Sequence, residues 1–268
     1  MYPDSISHGA MKTEQEHRRD ICAVGRWIHE RGYAASTDGN VSVRLGADRI
    51  LTSPTCISKG MMNPEDLVIT DLEGRRVSGS RNASSELAMH LLIYRLRPDV
   101  NSVCHAHPPV ATGYAAAGIA LDKPILCELV IGLGSVPVAR YGTPGTSELT
   151  EALEPLVQGH DAILMANHGV VTYGPYLLTA FLRMETAEHF ARVALVTELL
   201  GKQKVLSHSD VEKLLAARAR YGAGGHIAPA ASDYPARSER ADAERVNLTR
   251  GELDALIDEA IQKDRARR

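Results

Sequence analysis

The segment "SVCHAHPPV", residues 102–110, constrains the fold more than any other part of the chain. Its first half is rich in apolar and β-compatible residues, which is typical of a short strand. Residues i and i+2 of a strand point to the same face, so His105 and His107 should project together. Pro108 and Pro109 then begin a helix, whose first turn needs no N–H at those positions. The segment therefore predicts two imidazoles at the C-terminal edge of a sheet, where α/β proteins usually bind ligands.

Strands and helices alternate along most of the chain. Apolar patterns and turn residues predict strands at about 41–45, 49–53, 66–71, 101–107, 135–141 and 161–169. Helices are predicted from the Thr13–Glu16 capping box to about residue 31, and at about 85–97, 108–118, 146–157, 175–200 and 208–220. This alternation is typical of the α/β class. The antiparallel hairpin near the start favours a mixed central sheet flanked by helices over a doubly wound parallel sheet.

Composition and charge narrow the class of protein. The chain has 268 residues, and its formal net charge of −3 is spread without long charged runs. One globular domain is expected, with no binding of nucleic acid and no attraction to a membrane. No apolar run reaches the roughly 18 residues of a membrane span, and the first twelve residues lack the apolar core of a signal peptide. The four cysteines are far apart in the sequence, which is typical of reduced cysteines in a cytosolic protein. A cytoplasmic location is therefore expected.

A change of composition after Gly222 divides the chain. Residues 1–222 carry the alternating elements and are expected to form one domain. Residues 223–268 begin with a small, polar stretch and are expected to form an extension. A capping box at Thr249 and Glu252 predicts a helix at its end.

A third histidine, His168, stands at the end of another apolar strand, in "LMANHGVV". Three imidazoles with an open fourth position describe a catalytic site of the zinc type. Imidazole ligands also suit Mn²⁺, Fe²⁺ and Co²⁺, so the prediction is one divalent ion with zinc as the first choice. The residues alone leave an alternative open, because His-x-His is a weak motif and His168 could be hydrogen-bonded within a turn.

The predicted helix start in "NASSELAMH" offers a second candidate cluster. Ser84 or Ser85 could simply cap the helix, but hydroxyls and free N–H groups at a helix N-terminus also form an anion site. Glu86 would lie at its edge, where desolvation would raise its pKa towards the range needed for proton transfer. The segments "STDGNVSV" (36–43) and "SPTC" (53–56) are either plain turns or places where the backbone approaches a phosphate.

Together these segments resemble the class II aldolase/adducin family over roughly residues 12–222. Seven motifs occur in the family's order: "TDGNVSVR", "TSPTCIS", "ASSE", "VCHAHPP", "YGTPGTSEL", "ANHG" and "VLSHSDVEKLLAARARYG". The resemblance implies a mixed central sheet with helices on both sides. It also implies a C4-type homotetramer with the metal site near a subunit interface.

The resemblance also assigns roles to individual residues. His105, His107 and His168 match the family's metal ligands. Glu86 matches the carboxylate beside the metal that serves as acid and base, and Tyr221 matches a tyrosine that helps to handle the aldehyde. The residues that match the phosphate-binding set are Thr37, Gly39, Asn40, Thr55, Ser84 and Ser85.

The implied reaction is metal-dependent retro-aldol cleavage of a sugar 1-phosphate of the L-fuculose type, giving dihydroxyacetone phosphate and a small aldehyde. Glu86, where epimerases of the family usually carry aspartate, favours lyase chemistry. Two residues depart from the family pattern: Cys56 replaces a glycine of the phosphate site, and Glu128 stands near a tyrosine of the aldehyde pocket. Glu128 keeps open a metal-dependent decarboxylase of an aromatic or 3-keto acid. A non-catalytic, adducin-like interaction module is the third alternative.

Overall fold

A mixed β-sheet forms the centre of the fold. The computed structural model describes residues 12–221, and within them the strands are β1 Asn40–Arg44, β2 Ile50–Thr52, β3 Val68–Thr70, β4 Arg76–Ser78, β5 Ser102–Ala106, β6 Val138–Ala139, β7 Ala162–Met165 and β8 Gly169–Gly174. Their spatial order is β4-β3-β2-β1-β5-β8-β7-β6. Neighbouring strands are antiparallel, except that β6 and β7 run parallel. The predicted mixed sheet is confirmed.

Helices cover both faces of this sheet. Over the same residues they are α1 Glu14–Glu30, α2 Leu87–Leu96, α3 Pro109–Ala117, α4 Cys127–Gly132, α5 Ser147–Val157, α6 Leu177–Leu199 and α7 His208–Ala217. Short 3₁₀ helices lie at Lys59–Met61, Pro64–Asp66 and Arg218–Tyr221. One apolar core joins one sheet face to α1, α3, α4 and α6, and a second core joins the other face to α2 and α5. The result is three layers with the sheet in the middle.

The period of two along β1 decides which residues face which core. Val41 and Val43 point into the core with α1, whereas Asn40 and Ser42 contact side chains of α2. A buried central strand thus presents two polar side chains to one helix. Buried polar groups need hydrogen-bond partners, and α2 supplies them.

A buried carboxylate anchors the start of α3, the helix that follows β5. Glu188 of α6 is fully buried and accepts hydrogen bonds from the N–H groups of Val110 (3.1 Å) and Ala111 (2.8 Å), at the start of α3. Those N–H groups have no partner inside the helix, and a negative charge there is favoured by the helix dipole. Glu188 therefore holds the helix that begins directly after the His-x-His motif.

The structure departs from the predicted elements in three places. The strand predicted at 161–169 is two strands, β7 and β8, joined by a turn in which Asn167 takes a positive φ of 55°. The strand predicted at 135–141 is only the two-residue β6, which Pro137 precedes; proline has no N–H for a sheet ladder. Helix α4 was not predicted.

Two further predictions concern the C-terminal extension and membrane-spanning segments. The polar extension and its terminal helix lie outside residues 12–221, so the division at residue 222 stays a prediction. Within residues 12–221 every helix is too short or too polar to cross a bilayer.

Candidate metal and phosphate site

Three histidine side chains converge at one edge of the sheet. His105 is the last residue but one of β5, His107 directly follows that strand, and His168 lies in the turn between β7 and β8. The ring centroids are 4.9 Å apart for His105 and His107, 4.8 Å for His105 and His168, and 5.1 Å for His107 and His168. One candidate ligand nitrogen from each ring lies within 4.8 Å of the others. This set of donors could hold one divalent ion.

Antiparallel pairing of β5 with β8 brings these distant residues together. The register places Ala106 opposite Val170, so the residues just after Ala106 meet the residues just before Val170. The backbone carbonyl of Val170 also contacts His105 Nδ1 at 2.9 Å. Because a carbonyl only accepts, Nδ1 carries the proton, which leaves the lone pair of His105 Nε2 facing the cluster.

A second contact orients His107. Its Nε2 lies 3.2 Å from His105 Nε2 inside the cluster, and its Nδ1 lies 3.4 Å from Asp38 Oδ2 outside it. A carboxylate behind a metal-binding histidine fixes the ring and makes it a better donor. Asp38 is therefore a candidate second partner of this site.

Glu86, directly before α2, closes the cluster on its buried side. Its Oε2 lies 3.2 Å from His105 Nε2 and accepts a hydrogen bond from Asn40 Nδ2 at 2.8 Å. Its Oε1 lies 3.0 Å from His168 Nε2, but it is buried and this contact lacks the alignment of a hydrogen bond. A buried carboxylate oxygen left without a donor, beside three imidazoles, fits a site built for a cation.

The pKa of Glu86 corrects the expectation of a raised value. Burial raises this pKa, but the imidazoles of His105 and His168 outweigh burial and hold it well below its usual range. The same contacts act on the rings. Burial lowers the pKa of His105, but Glu86 more than compensates and raises it overall. Burial and the neighbouring rings lower the pKa of His107 to about 4. Beside these two imidazoles Glu86 is thus an ionised carboxylate.

Two glycines let the backbone approach these histidines. A Cβ on Gly169 would lie 2.5 Å from His107 Cδ2 and 2.7 Å from the carbonyl oxygen of Ala106. A Cβ on Gly39 would lie 2.8 Å from the carbonyl oxygen of His105, and Gly39 has a φ of +73°. Since no L side chain fits either contact, both glycines are needed for the site.

The segments expected to bind phosphate meet beside Glu86. The N–H of Thr55 donates to the carbonyl of Asn82 (3.1 Å), and the N–H of Ser84 donates to the carbonyl of Ser53 (3.2 Å). Ser53 in turn bonds to the backbone of Val41, next to Asn40. Three chain segments therefore form one continuous surface.

The six expected phosphate residues differ in exposure. Thr37 and Ser85 are exposed, Thr55 is half-buried, and Gly39, Asn40 and Ser84 are buried. Ser84 does not cap α2 in the predicted way, because Glu86 is the N-cap and Ser84 Oγ accepts from its N–H at 3.2 Å. Exposed and half-buried hydroxyls of three of the residues remain accessible to a ligand.

A buried lysine joins two of these segments. Lys59 is 1% exposed, and its Nζ donates to the carbonyls of Thr37 (3.0 Å) and Ile57 (2.6 Å). Among residues 12–221 it forms no ion pair, and burial lowers its pKa to about 8. A buried cation without a carboxylate partner favours an anionic ligand nearby.

Comparisons with known proteins agree with this geometry. The family model described as "Class II Aldolase and Adducin N-terminal domain" matches residues 19–195. The chain belongs to this family. It is 33% identical over 210 residues to 5-deoxy-D-ribulose 1-phosphate aldolase of Bacillus thuringiensis serovar kurstaki, covering 78% of this chain and 98% of the relative. It is 32% identical over 215 residues to 3-oxo-tetronate 4-phosphate decarboxylase of Pectobacterium atrosepticum, covering 78% and 96%.

A solved structure supports the same assignment. The fold is similar to that of an L-fuculose 1-phosphate aldolase, with a TM-score of 0.72 and 29% identity, covering 78% of this chain and 98% of that structure. The predicted resemblance to the class II aldolase/adducin family, and to L-fuculose-1-phosphate aldolase within it, is confirmed.

The two departures from the family pattern lie in different places. Cys56 is exposed and has a φ of 57°, so it adopts the left-handed conformation that favours the family's glycine. Glu128 is exposed in the first turn of α4, and among the described residues no hydrogen bond or ion pair connects it to the histidines. Tyr221 ends the last 3₁₀ helix, which packs against α4. Glu128 and Tyr221 thus belong to neighbouring elements.

Sequence reasoning missed Asp38, Lys59 and the partners behind Asn40. The available signal was the pair of polar residues, Asn40 and Ser42, on one face of an otherwise apolar strand. His90 follows Glu86 by one turn of α2. The structure places it in hydrogen-bond contact with Asn40.

Proposed function

We propose that this protein catalyses metal-dependent retro-aldol cleavage of a sugar 1-phosphate of the L-fuculose type to dihydroxyacetone phosphate and a small aldehyde. The observation that carries the proposal is the position of Glu86. Its carboxylate lies 3.0–3.2 Å from Nε2 of His168 and His105, and its backbone belongs to the segment expected to bind phosphate. A proton-transfer group, a cation site and an anion site are therefore adjacent.

The reaction needs two proton transfers. The bond between C3 and C4 of the ketose phosphate breaks, the C4 hydroxyl loses its proton as the aldehyde forms, and C3 gains a proton. A divalent ion held by His105, His107 and His168, for which zinc is the first choice and Mn²⁺, Fe²⁺ or Co²⁺ the alternatives, supplies Lewis acidity towards the substrate oxygens.

Glu86 transfers the proton at C3 in this proposal. As a carboxylate beside the three histidines, it can remove a proton from dihydroxyacetone phosphate in the condensation direction. The same carboxyl group returns that proton during cleavage. Tyr221 accepts the proton that the C4 hydroxyl loses as the aldehyde forms, in this proposal.

The phosphate is anchored by the segments around Glu86. The proposed set is Thr37, Gly39, Asn40, Thr55, Ser84 and Ser85. Lys59 adds positive charge behind the carbonyls of Thr37 and Ile57. Anchoring the phosphate fixes the distance from C3 to Glu86, which converts binding energy into orientation.

The proposal extends to the assembly. A cytoplasmic homotetramer would complete the aldehyde pocket from a neighbouring subunit, with Tyr221 and Glu128 contributing. Residues 1–222 form the catalytic domain in this proposal, and residues 223–268 form the extension.

Deuterium exchange into dihydroxyacetone phosphate tests the role of Glu86 without knowledge of the aldehyde. In D₂O, the zinc-loaded protein should replace one C3 hydrogen, as followed by proton NMR. Glu86→Gln should lose this exchange because an amide cannot accept the proton, whereas Glu151→Gln, an exposed carboxylate 3.7 Å from Arg140, should retain it. Exchange by Glu86→Gln at the wild-type rate would overturn the assigned role.

A second candidate is decarboxylation of a phosphorylated 3-keto acid or of an aromatic acid. It is favoured by the similarity to 3-oxo-tetronate 4-phosphate decarboxylase and by Glu128 near the expected position of a pocket tyrosine. Loss of carbon dioxide also leaves a carbanion that needs a proton, so Glu86 would keep its role. Release of carbon dioxide from a 3-oxo acid 4-phosphate, without exchange into dihydroxyacetone phosphate, would identify this alternative.

A further inference from the structure

A line of polar residues runs from Glu86 into the protein interior. Glu86, His90 and Tyr94 are spaced by four residues and share one face of α2. Asn40 and Ser42 are spaced by two and share one face of β1. These five residues, which we call the buried polar line, are each at most 8% exposed. Strand and helix residues alternate along it.

Each neighbouring pair in the buried polar line is in hydrogen-bond contact. Asn40 Nδ2 lies 2.8 Å from Glu86 Oε2, and Asn40 Oδ1 lies 2.5 Å from His90 Nε2. His90 Nδ1 lies 2.7 Å from Ser42 Oγ, which lies 2.7 Å from the hydroxyl of Tyr94. The contacts connect the acid/base carboxylate to a fully buried phenol.

The orientation of the Asn40 amide determines the direction of the other hydrogen bonds. Asn40 Nδ2 donates to Glu86 Oε2, so the amide oxygen, which only accepts, faces His90. His90 Nε2 therefore carries a proton. Burial lowers the pKa of His90 to about 3, so the ring is neutral and Nδ1 accepts from Ser42, which in turn accepts from Tyr94. All donors point towards Glu86, and aligned hydrogen bonds strengthen one another.

We infer that His90 is a positioning residue for the reaction: through a proton on Nε2 it holds the Asn40 amide in the one orientation in which Nδ2 donates to Glu86. The functional part of this inference rests on the proposed role of Glu86. Besides Glu86, the titratable groups that face His90 are His105, through its charge, and Tyr94, through Ser42. His90 contacts Asn40, one of the residues proposed to bind phosphate, and its own hydrogen bonds go to Asn40 and Ser42 rather than to the three histidines.

The tautomer can be read without any substrate. Protein labelled with ¹⁵N at its histidine rings should show one ring, missing from the spectrum of His90→Leu, with a protonated Nε2 and an unprotonated Nδ1. This state should persist from about pH 8 down to about pH 5, because burial opposes protonation. A ring protonated at Nδ1 alone, or at both nitrogens near pH 7, would overturn the inference.

Two substitutions then test the consequence for Glu86. His90→Leu leaves Asn40 free to turn, whereas His90→Gln keeps an N–H that can reach Asn40 Oδ1. His189→Leu, on the exposed face of α6, is the matched control. Folding of each variant is checked by circular dichroism and thermal unfolding.

The measured reaction is deuterium exchange into dihydroxyacetone phosphate or, if that is absent, whichever turnover the substrate tests reveal. His90→Leu should lower kcat by roughly 10- to 100-fold, the value of one hydrogen bond to a charged group. His90→Gln, which keeps a donor towards Asn40, should recover most of the rate. An equal loss in both variants would show a merely structural role. A correct tautomer in a protein without aldolase activity would instead count against the proposed function.

Discussion

Replacing Gly169 with alanine should weaken metal binding while preserving the fold. The added Cβ would lie 2.5 Å from His107 Cδ2, 2.7 Å from the carbonyl oxygen of Ala106 and 3.2 Å from His105 Cε1. The optimal separation of two non-bonded carbon atoms is about 3.5–4.0 Å. The His107 ring must therefore move by about 1 Å. Ala106 is fixed in the β5–β8 ladder, so the ring moves and not the strand.

Overpacking of this kind costs about 1–3 kcal/mol. Without metal, the His107 side chain is 26% exposed and can swing away from the added methyl group, whereas the 2.7 Å contact with the Ala106 carbonyl oxygen is present in both states. A bound ion would draw the ring back, so the part of the cost that involves His107 falls on the metal-bound state. Zinc affinity should therefore fall by roughly 5- to 150-fold at 1.4 kcal/mol per tenfold change.

Competition with a zinc chelator measures this affinity, and thermal unfolding with and without zinc measures the fold. Gly113→Ala is the matched control, because nothing lies within 4 Å of a Cβ at that position of α3. It should leave zinc affinity unchanged and stabilise the helix by about 0.5–1 kcal/mol. Wild-type zinc affinity in Gly169→Ala would refute the three-histidine site as described.

Three more substitutions test other parts of the structure. Lys59 has a pKa of about 8, against about 10.4 in an unfolded chain, so the folded chain loses its proton first and stability should rise with pH across this window. Thermal unfolding from about pH 7.5 to about pH 10 should show that gain in the wild type and not in Lys59→Met. Asp38→Asn should weaken zinc binding by about tenfold, as measured by chelator competition, because His107 loses its carboxylate partner; unchanged affinity would exclude that role. Glu188→Gln should lower the free energy of unfolding by about 1–2 kcal/mol in urea, because the start of α3 loses a charged acceptor; no change would argue against this anchor.

Local pattern was enough to predict most of the elements that carry the three histidines. The period of two placed His105 and His107 together, and the prolines after them marked the start of α3. The mixed sheet also followed from the early hairpin. The split of the predicted strand at 161–169 into β7 and β8 was missed, because the turn contains no proline and its glycine begins the next strand.

The protonation state of Glu86 and the hydrogen bonds behind the site could not be predicted in the same way. The pKa of Glu86 depends on whether burial or the two imidazoles dominate, and only the distances to His105 and His168 decide this. Desolvation alone predicts a raised pKa for Glu86, which is the wrong direction. The link from Asn40 to His90 likewise depends on the register between a strand and a helix, which a pattern within either segment does not contain.

The central claim is that a metal held by three histidines and a proton handled by Glu86 cleave a sugar 1-phosphate. The most direct test offers ketose 1-phosphates, fuculose and rhamnulose forms first, to protein of known metal content and measures dihydroxyacetone phosphate with a coupled enzyme. We predict release from at least one substrate, its loss with chelator and its return when zinc is added back. No release across the panel from metal-loaded protein, or release that chelator leaves unchanged, would contradict this claim.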